Sequence, residues 1–97
     1  MNIGKAIKIC RIQRELSQTD LAILAKISVS YLSLLERDKR DPAFSVVEKI
    51  AHALNMPLVV ITFLASSEEE KSQLSTELRK ELSYAALSVL HLEEVAT

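Results

Sequence analysis

Apolar residues recur along this chain at helical spacing, in short runs separated by polar caps. Ile3, Ile7 and Cys10 fall on one face of a first helix, predicted from Ile3 to Glu15, with Arg11 on that face and Leu16 closing it. Lys5, Lys8, Ile12 and Arg14 point elsewhere. Ser17 is placed to cap a second helix, and Asp20, three residues on, completes a weak capping box at the positive end of the helix dipole. Leu21, Leu24 and Ala25 give this helix its predicted buried stripe, and the small Ala22 leaves room for a close neighbour. Ser28 caps a third helix running to about Arg37. Leu32 and Leu35 are its inward positions, while Val29, Ser30, Ser33 and Leu34 lie off that stripe. Few residues separate the second helix from the third, which suits two short helices crossing steeply.

A fourth helix is predicted from a capping box at Ser45-Val46-Val47-Glu48, with Val47, Ile50, Ala51 and Leu54 inward. Phe44 is expected to anchor the preceding loop to the core. Asn55 suits a left-handed helix end, and Pro57 suits the first turn of a fifth helix. That helix reads LVVITFLA, apolar nearly all round, so it must be covered on both sides. After Ser66-Ser67 the composition changes. Ser67 can cap a turn whose first residues are Glu68, Glu69 and Glu70. Leu78, Leu82, Ala85, Val89, Leu92 and Ala96 then form a short heptad seam, widened by Leu74, Ala86, Leu87 and Leu90. Ser75 can start a new helix, so the segment holds one helix or two. The seam packs on the fifth helix, on a second copy of the chain, or on both.

Composition narrows the class. Ninety-seven residues suffice for one domain with an appended element, and 48% apolar content supports a folded core. A single cysteine makes no internal disulfide, and Cys10 reads as a core residue. The apolar run Met56 to Ala65 is too short to span a bilayer and no signal-peptide pattern opens the chain, so a cytoplasmic location is expected. No Gly-rich phosphate loop, paired carboxylates, nucleophile set or metal-ligand cluster is present in the sequence, so neither an enzyme nor a cofactor or metal site is expected. The net charge is −1, but it is divided unevenly. Residues 1–57 carry nine basic against six acidic side chains, and residues 58–97 carry three against seven. The first part is mildly basic, as a polyanion-binding surface requires, and the tail is acidic.

The ordered set Leu16-Ser17-Gln18, Leu21-Ala22, Ile27-Ser28, Leu32-Ser33, Glu36 and Pro42 resembles the Cro/repressor-like (XRE) helix-turn-helix family. The resemblance covers residues 3 to 65. It implies an all-α fold: a five-helix repressor-like helix-turn-helix domain over residues 1–65, with one or two additional C-terminal helices in a dimerisation or cover segment over residues 66–97. It also implies a regulator of transcription, a homodimeric repressor or autoregulator that binds an inverted repeat in double-stranded DNA. On this resemblance Val29, Ser30, Ser33 and Leu34 lie nearest base edges. Gln18, Ser28, Tyr31, Arg37, Lys39 and Arg40 lie near the DNA backbone. None of the base-proximal side chains offers a bidentate contact, so the direct code is soft and DNA shape shares the work. The family pairs a basic residue at the position of Arg11 with the acid at Glu36, as a clamp. Leu78, Leu82, Ala85, Val89 and Leu92 are the expected dimer interface. The competing reading is an antitoxin or other interaction module whose fifth helix and tail bind a partner protein.

The chain departs from the family at three turns. Family members often carry glycine where this sequence has Glu15, Lys26 and Asp38. A side chain there costs about 1 kcal/mol if the backbone is left-handed.

Overall fold

Seven helices follow one another in a computed structural model that describes residues 1–90. They are α1 Ile3–Gln13, α2 Gln18–Ala25, α3 Val29–Glu36, α4 Phe44–Leu54, α5 Leu58–Ala65, α6 Glu68–Lys71 and α7 Thr76–Val89. The fold is thus all-α, with two helices beyond the expected five. Leu92 and Ala96 of the predicted seam lie outside the described residues.

Local chemistry sets most of the boundaries. Ser17 Oγ accepts from the Asp20 amide at 3.0 Å and Asp20 Oδ2 accepts from the Ser17 amide at 3.1 Å, a complete capping box on α2. Ser67 and Glu70 repeat it on α6. Ser28 and Ser75 cap α3 and α7 through single bonds. Asn55 ends α4 in the left-handed region at φ 54°. Glu15, Lys26 and Asp38 also sit there, with φ of 58°, 59° and 59°. The turns therefore keep the conformation that favours glycine, although none of these residues is one.

Five expectations are corrected. Helix α1 ends at Gln13, two residues before Glu15, because the chain turns left-handed at Glu15 and the Leu16 amide bonds back to the Arg11 carbonyl. Leu24 is 55% exposed, and Leu21, Ala22 and Ala25 make the buried stripe of α2 instead. At 100° per residue Leu24 lies roughly 110° from the centre of that stripe. The predicted capping box at Ser45 does not form. Ala43 is the N-cap of α4, the Val46 and Val47 amides both bond to its carbonyl, and Ser45 lies inside the first turn. Starting there leaves Phe44 62% exposed, so it does not anchor the loop. Pro57 stands as the N-cap of α5 rather than in its first turn.

The core is built where α1 to α5 meet. Ile7, Cys10, Leu21, Leu32, Leu35, Ile50, Leu54 and Ile61 are fully or almost fully buried in it. Truncating one of its leucines or isoleucines to alanine costs about 2–5 kcal/mol. The apolar α5 is covered by α1 on one side and by α7 on the other. Val60, Phe63 and Ala86 form a second, smaller cluster there, with Leu74, Leu82 and Val89 against it. Leu90, just past α7, joins the main core. The single glycine has a packing reason. Gly4 on α1 lies so close to the end of α3 that a Cβ would collide with the Leu35 carbonyl oxygen.

Candidate nucleic-acid interface

Helices α2 and α3 form the centre of the candidate site, and buried leucines hold them in place. Leu32 and Leu35 face the core, which turns the opposite side of α3 outward. Ser30 and Val29 are exposed at its first turn, and Ser33 and Leu34 are half-buried one turn on. Ser28 spends its hydroxyl on the Tyr31 amide at 3.0 Å and lies 3.4 Å from the Ser30 hydroxyl. The outer surface of α3 thus offers small hydroxyls and two apolar side chains, with no long polar side chain among them.

A polar network fixes α3 against α1 and α2. Arg11 Nε donates to Glu36 Oε2 at 2.8 Å and Nη2 donates to Glu36 Oε1 at 3.0 Å. Its Nη1 donates to the Leu16 carbonyl at 2.9 Å. The pair lies deep, with Glu36 only 2% exposed at the side chain. The hydrogen bond to Glu36 holds the Arg11 guanidinium above its ordinary pKa, against the opposing effect of burial. Gln18 Nε2 also donates to Glu36 Oε1 at 3.0 Å. One buried carboxylate therefore gathers the last turn of α1, the start of α2 and the end of α3. The Arg11–Glu36 clamp agrees with the family resemblance, and Gln18, which the resemblance places only near the DNA backbone, is its third member.

Arg37, Lys39 and Arg40 follow α3 on an exposed loop. Arg37 Nε donates to the Ser33 carbonyl at 3.3 Å, and the Arg40 guanidinium lies 5.8 Å from the centre of the Tyr31 ring. Arg37, Lys39 and Arg40 thus lie past the C-terminal end of α3, and Arg40 reaches back over Tyr31 in its first turn. Among the described residues no group of His, Cys, Asp or Glu is arranged to hold a metal ion. Nor is any single helix there long and apolar enough to cross a membrane.

Residues 7–61 match the helix-turn-helix family. The chain belongs to that family. The match runs from within α1 to within α5 and includes both the crossing helices and the Arg11–Glu36 network. A similar protein is the immunity repressor protein of Bacillus phage phi105, 33% identical over 94 residues. The alignment covers 84% of this chain and 65% of that relative, so the chain spans just under two thirds of the relative's length.

The seam residues of this helix-turn-helix protein divide. Leu82 and Val89 are half-buried against α5, whereas Leu78 is 45% exposed and Ala85 is also exposed. Ala86 and Leu90, which only widened the predicted seam, are the most buried positions of this segment. The residue that sequence reasoning missed is Arg14. Its side chain reaches carbonyls at the ends of two other helices, 40 and 75 positions away in the chain, and no local pattern announces partners so distant.

Proposed function

We propose that this chain is a sequence-specific double-stranded DNA-binding repressor or autoregulator that acts as a homodimer on an inverted repeat. The observation that carries this reading is the outward face of α3, held at a fixed angle by the buried Arg11–Glu36–Gln18 network and flanked by exposed Arg37, Lys39 and Arg40. The similar phage protein is named as a repressor, which agrees with it. In this reading Val29, Ser30, Ser33 and Leu34 approach base edges in the major groove. Ser28, Tyr31, Arg37, Lys39 and Arg40 meet the phosphates, as does the part of Gln18 that Glu36 leaves free. Residues 1–65 form the DNA-binding unit, and residues 66–97 cover it and pair the two copies.

The pairing face uses what α7 does not spend within the chain. Leu78 and Val59 are exposed, beside a hollow of about 160 Å³ lined by Val59, Thr62, Phe63, Ser66, Leu74 and Leu82. Leu78 and Ala85 pair the copies, and Leu82 and Val89 support them from below. Leu92 lies outside the described residues.

Selection of bound duplexes from a random pool tests the reading. An enriched inverted repeat, with half-site centres about 34 Å apart or a multiple of that, is the expected result. A pool that yields no preferred sequence overturns it. Lys39→Ala and Arg40→Ala should weaken binding to all sequences alike and lower the salt slope by about one each. Ser30 and Leu34 substitutions should instead shift the selected bases.

A further inference from the structure

Arg14 closes α1 as its C-cap, outside the buried stripe. Its guanidinium nevertheless makes three bonds to backbone carbonyls. Nε donates to Leu54 at 2.9 Å, Nη2 to Asn55 at 3.2 Å and Nη1 to Val89 at 2.9 Å. Leu54 and Asn55 end α4, and Val89 ends α7. The last carbonyls of a helix lack intrahelical donors and carry its negative dipole end. One permanently charged, planar side chain therefore serves two helix ends at once, which the compact ammonium of a lysine cannot do.

The rest of α7 stays outside the main core, although Arg79 donates to Glu68 of α6 at 2.7 Å. It follows the single-turn α6 and the exposed Ser75 and Thr76, and its apolar face rests on α5 through Leu82, Ala86 and Val89. Only its far end, at Val89 and Leu90, reaches the main core. Arg14 sits at that end and ties it to α1 and α4, the helices that carry and back the recognition unit.

We propose that Arg14 is a positioning residue for operator recognition: it locks the far end of α7 onto the DNA-binding unit and so sets the angle between the two recognition helices of the pair. This rests on the homodimer reading above. The geometry shows why a lock is needed. With α3 about 17 Å from the two-fold axis, half the 34 Å duplex turn, a rotation of about 10° at the pairing helix displaces it by about 3 Å. That is nearly one base-pair step, enough to put one α3 out of register while the other is seated.

The test uses the full chain, as wild type and as Arg14→Gln, with duplexes carrying one half-site or two taken from the selected sequence. Amide hydrogen exchange is measured alongside binding. In Arg14→Gln, exchange over residues 76–89 should accelerate about tenfold or more. Affinity for the single half-site should stay within about twofold. Affinity for the paired sites should fall about tenfold or more, and the preference among half-site spacings should broaden. Unchanged exchange in α7 overturns the proposal. So does acceleration confined to residues 51–56, which would make Arg14 a cap for α4 alone. Equal losses on one and two half-sites also overturn it, since they place the damage inside the DNA-binding unit. Wild type that binds two half-sites no better than one refutes the homodimer reading itself, and with it any role in spacing. If Arg14→Gln does not fold, Arg14→Lys, which keeps the charge but loses the fork, takes its place with the same outcomes. Leu90→Ala, which loosens the same end of α7 from the core, should reproduce the binding pattern while leaving the Arg14 bonds to Leu54 and Asn55 in place.

Discussion

Arg11 meets Glu36 through two near-parallel hydrogen bonds, at 2.8 and 3.0 Å, across 25 residues of chain. Removing the guanidinium leaves a buried carboxylate with only the Gln18 amide beside it. Arg11→Ala is therefore expected to lower stability by about 3 kcal/mol, measured as the shift of a urea denaturation curve. Replacing both partners with apolar side chains, as Arg11→Met with Glu36→Leu, should cost less than the single change, because no unpaired charge remains. A double variant weaker than Arg11→Ala would show that the pair contributes through more than charge compensation.

Gly4→Ala sets two effects against each other. Alanine in a helix is favoured over glycine by about 1 kcal/mol. The added Cβ, however, meets the Leu35 carbonyl oxygen, with the carbonyl carbon 3.0 Å away. Both are backbone atoms and cannot rotate aside. The collision should win, with a net loss of about 1–3 kcal/mol and a displaced end of α3. Thermal unfolding measures the first, and loss of DNA affinity in the folded variant measures the second.

Cys10 should be chemically silent while the chain is folded. Burial pushes its thiol up from 9.0 to about 11, against a smaller lowering by Arg14. The thiolate is the reactive form, so at mild alkaline pH its population falls about a hundredfold, before any loss of access is counted. Alkylation of the native protein should be slower than that of the denatured chain by at least this factor.

Two capping carboxyls make stability depend on acid. Hydrogen bonds from the Ser17 backbone and side chain hold Asp20 below its ordinary 3.8. The Ser67 amide, then the N-terminal ammonium, hold Glu70 below its ordinary 4.5. Both groups give up protons more readily in the folded chain than in the unfolded one. Their contribution is therefore present above the unfolded values and is lost as the pH falls through the lower folded values. In Asp20→Asn with Glu70→Gln, the fall in melting temperature between about pH 5 and pH 3 should be shallower than in wild type. An identical slope would place the acid sensitivity elsewhere.

The parts of this fold that depend on three or four neighbouring residues were legible in the sequence. Ser17 with Asp20, Ser67 with its glutamates, and Asn55 at the end of α4 all act within one turn, and each stands where its spacing placed it. Leu24 departs from its expected inward place because an eight-residue helix gives barely two turns of pattern, and the small Ala22 and Ala25 take the place where α4 packs close. At Ser45 two starts were open, and the Ala43 carbonyl closed the first turn before the serine could. The Arg11–Glu36 pair was legible through family spacing. The bonds of Gln18 to Glu36 and of Arg14 to distant carbonyls were not, since they are made only after the tertiary fold brings distant backbone and side chains to them.

The three left-handed corners at Glu15, Lys26 and Asp38 have a consequence for abundance. Each holds a side chain where glycine would be about 1 kcal/mol easier, and together they raise the unfolded fraction about a hundredfold over a chain with glycine at all three. A chain so constituted is expected to be presented more often to proteases, so that its level would follow changes in its synthesis with less delay. Glycine at these corners would give a longer-lived protein with the same recognition surface, slower to clear once its synthesis stops.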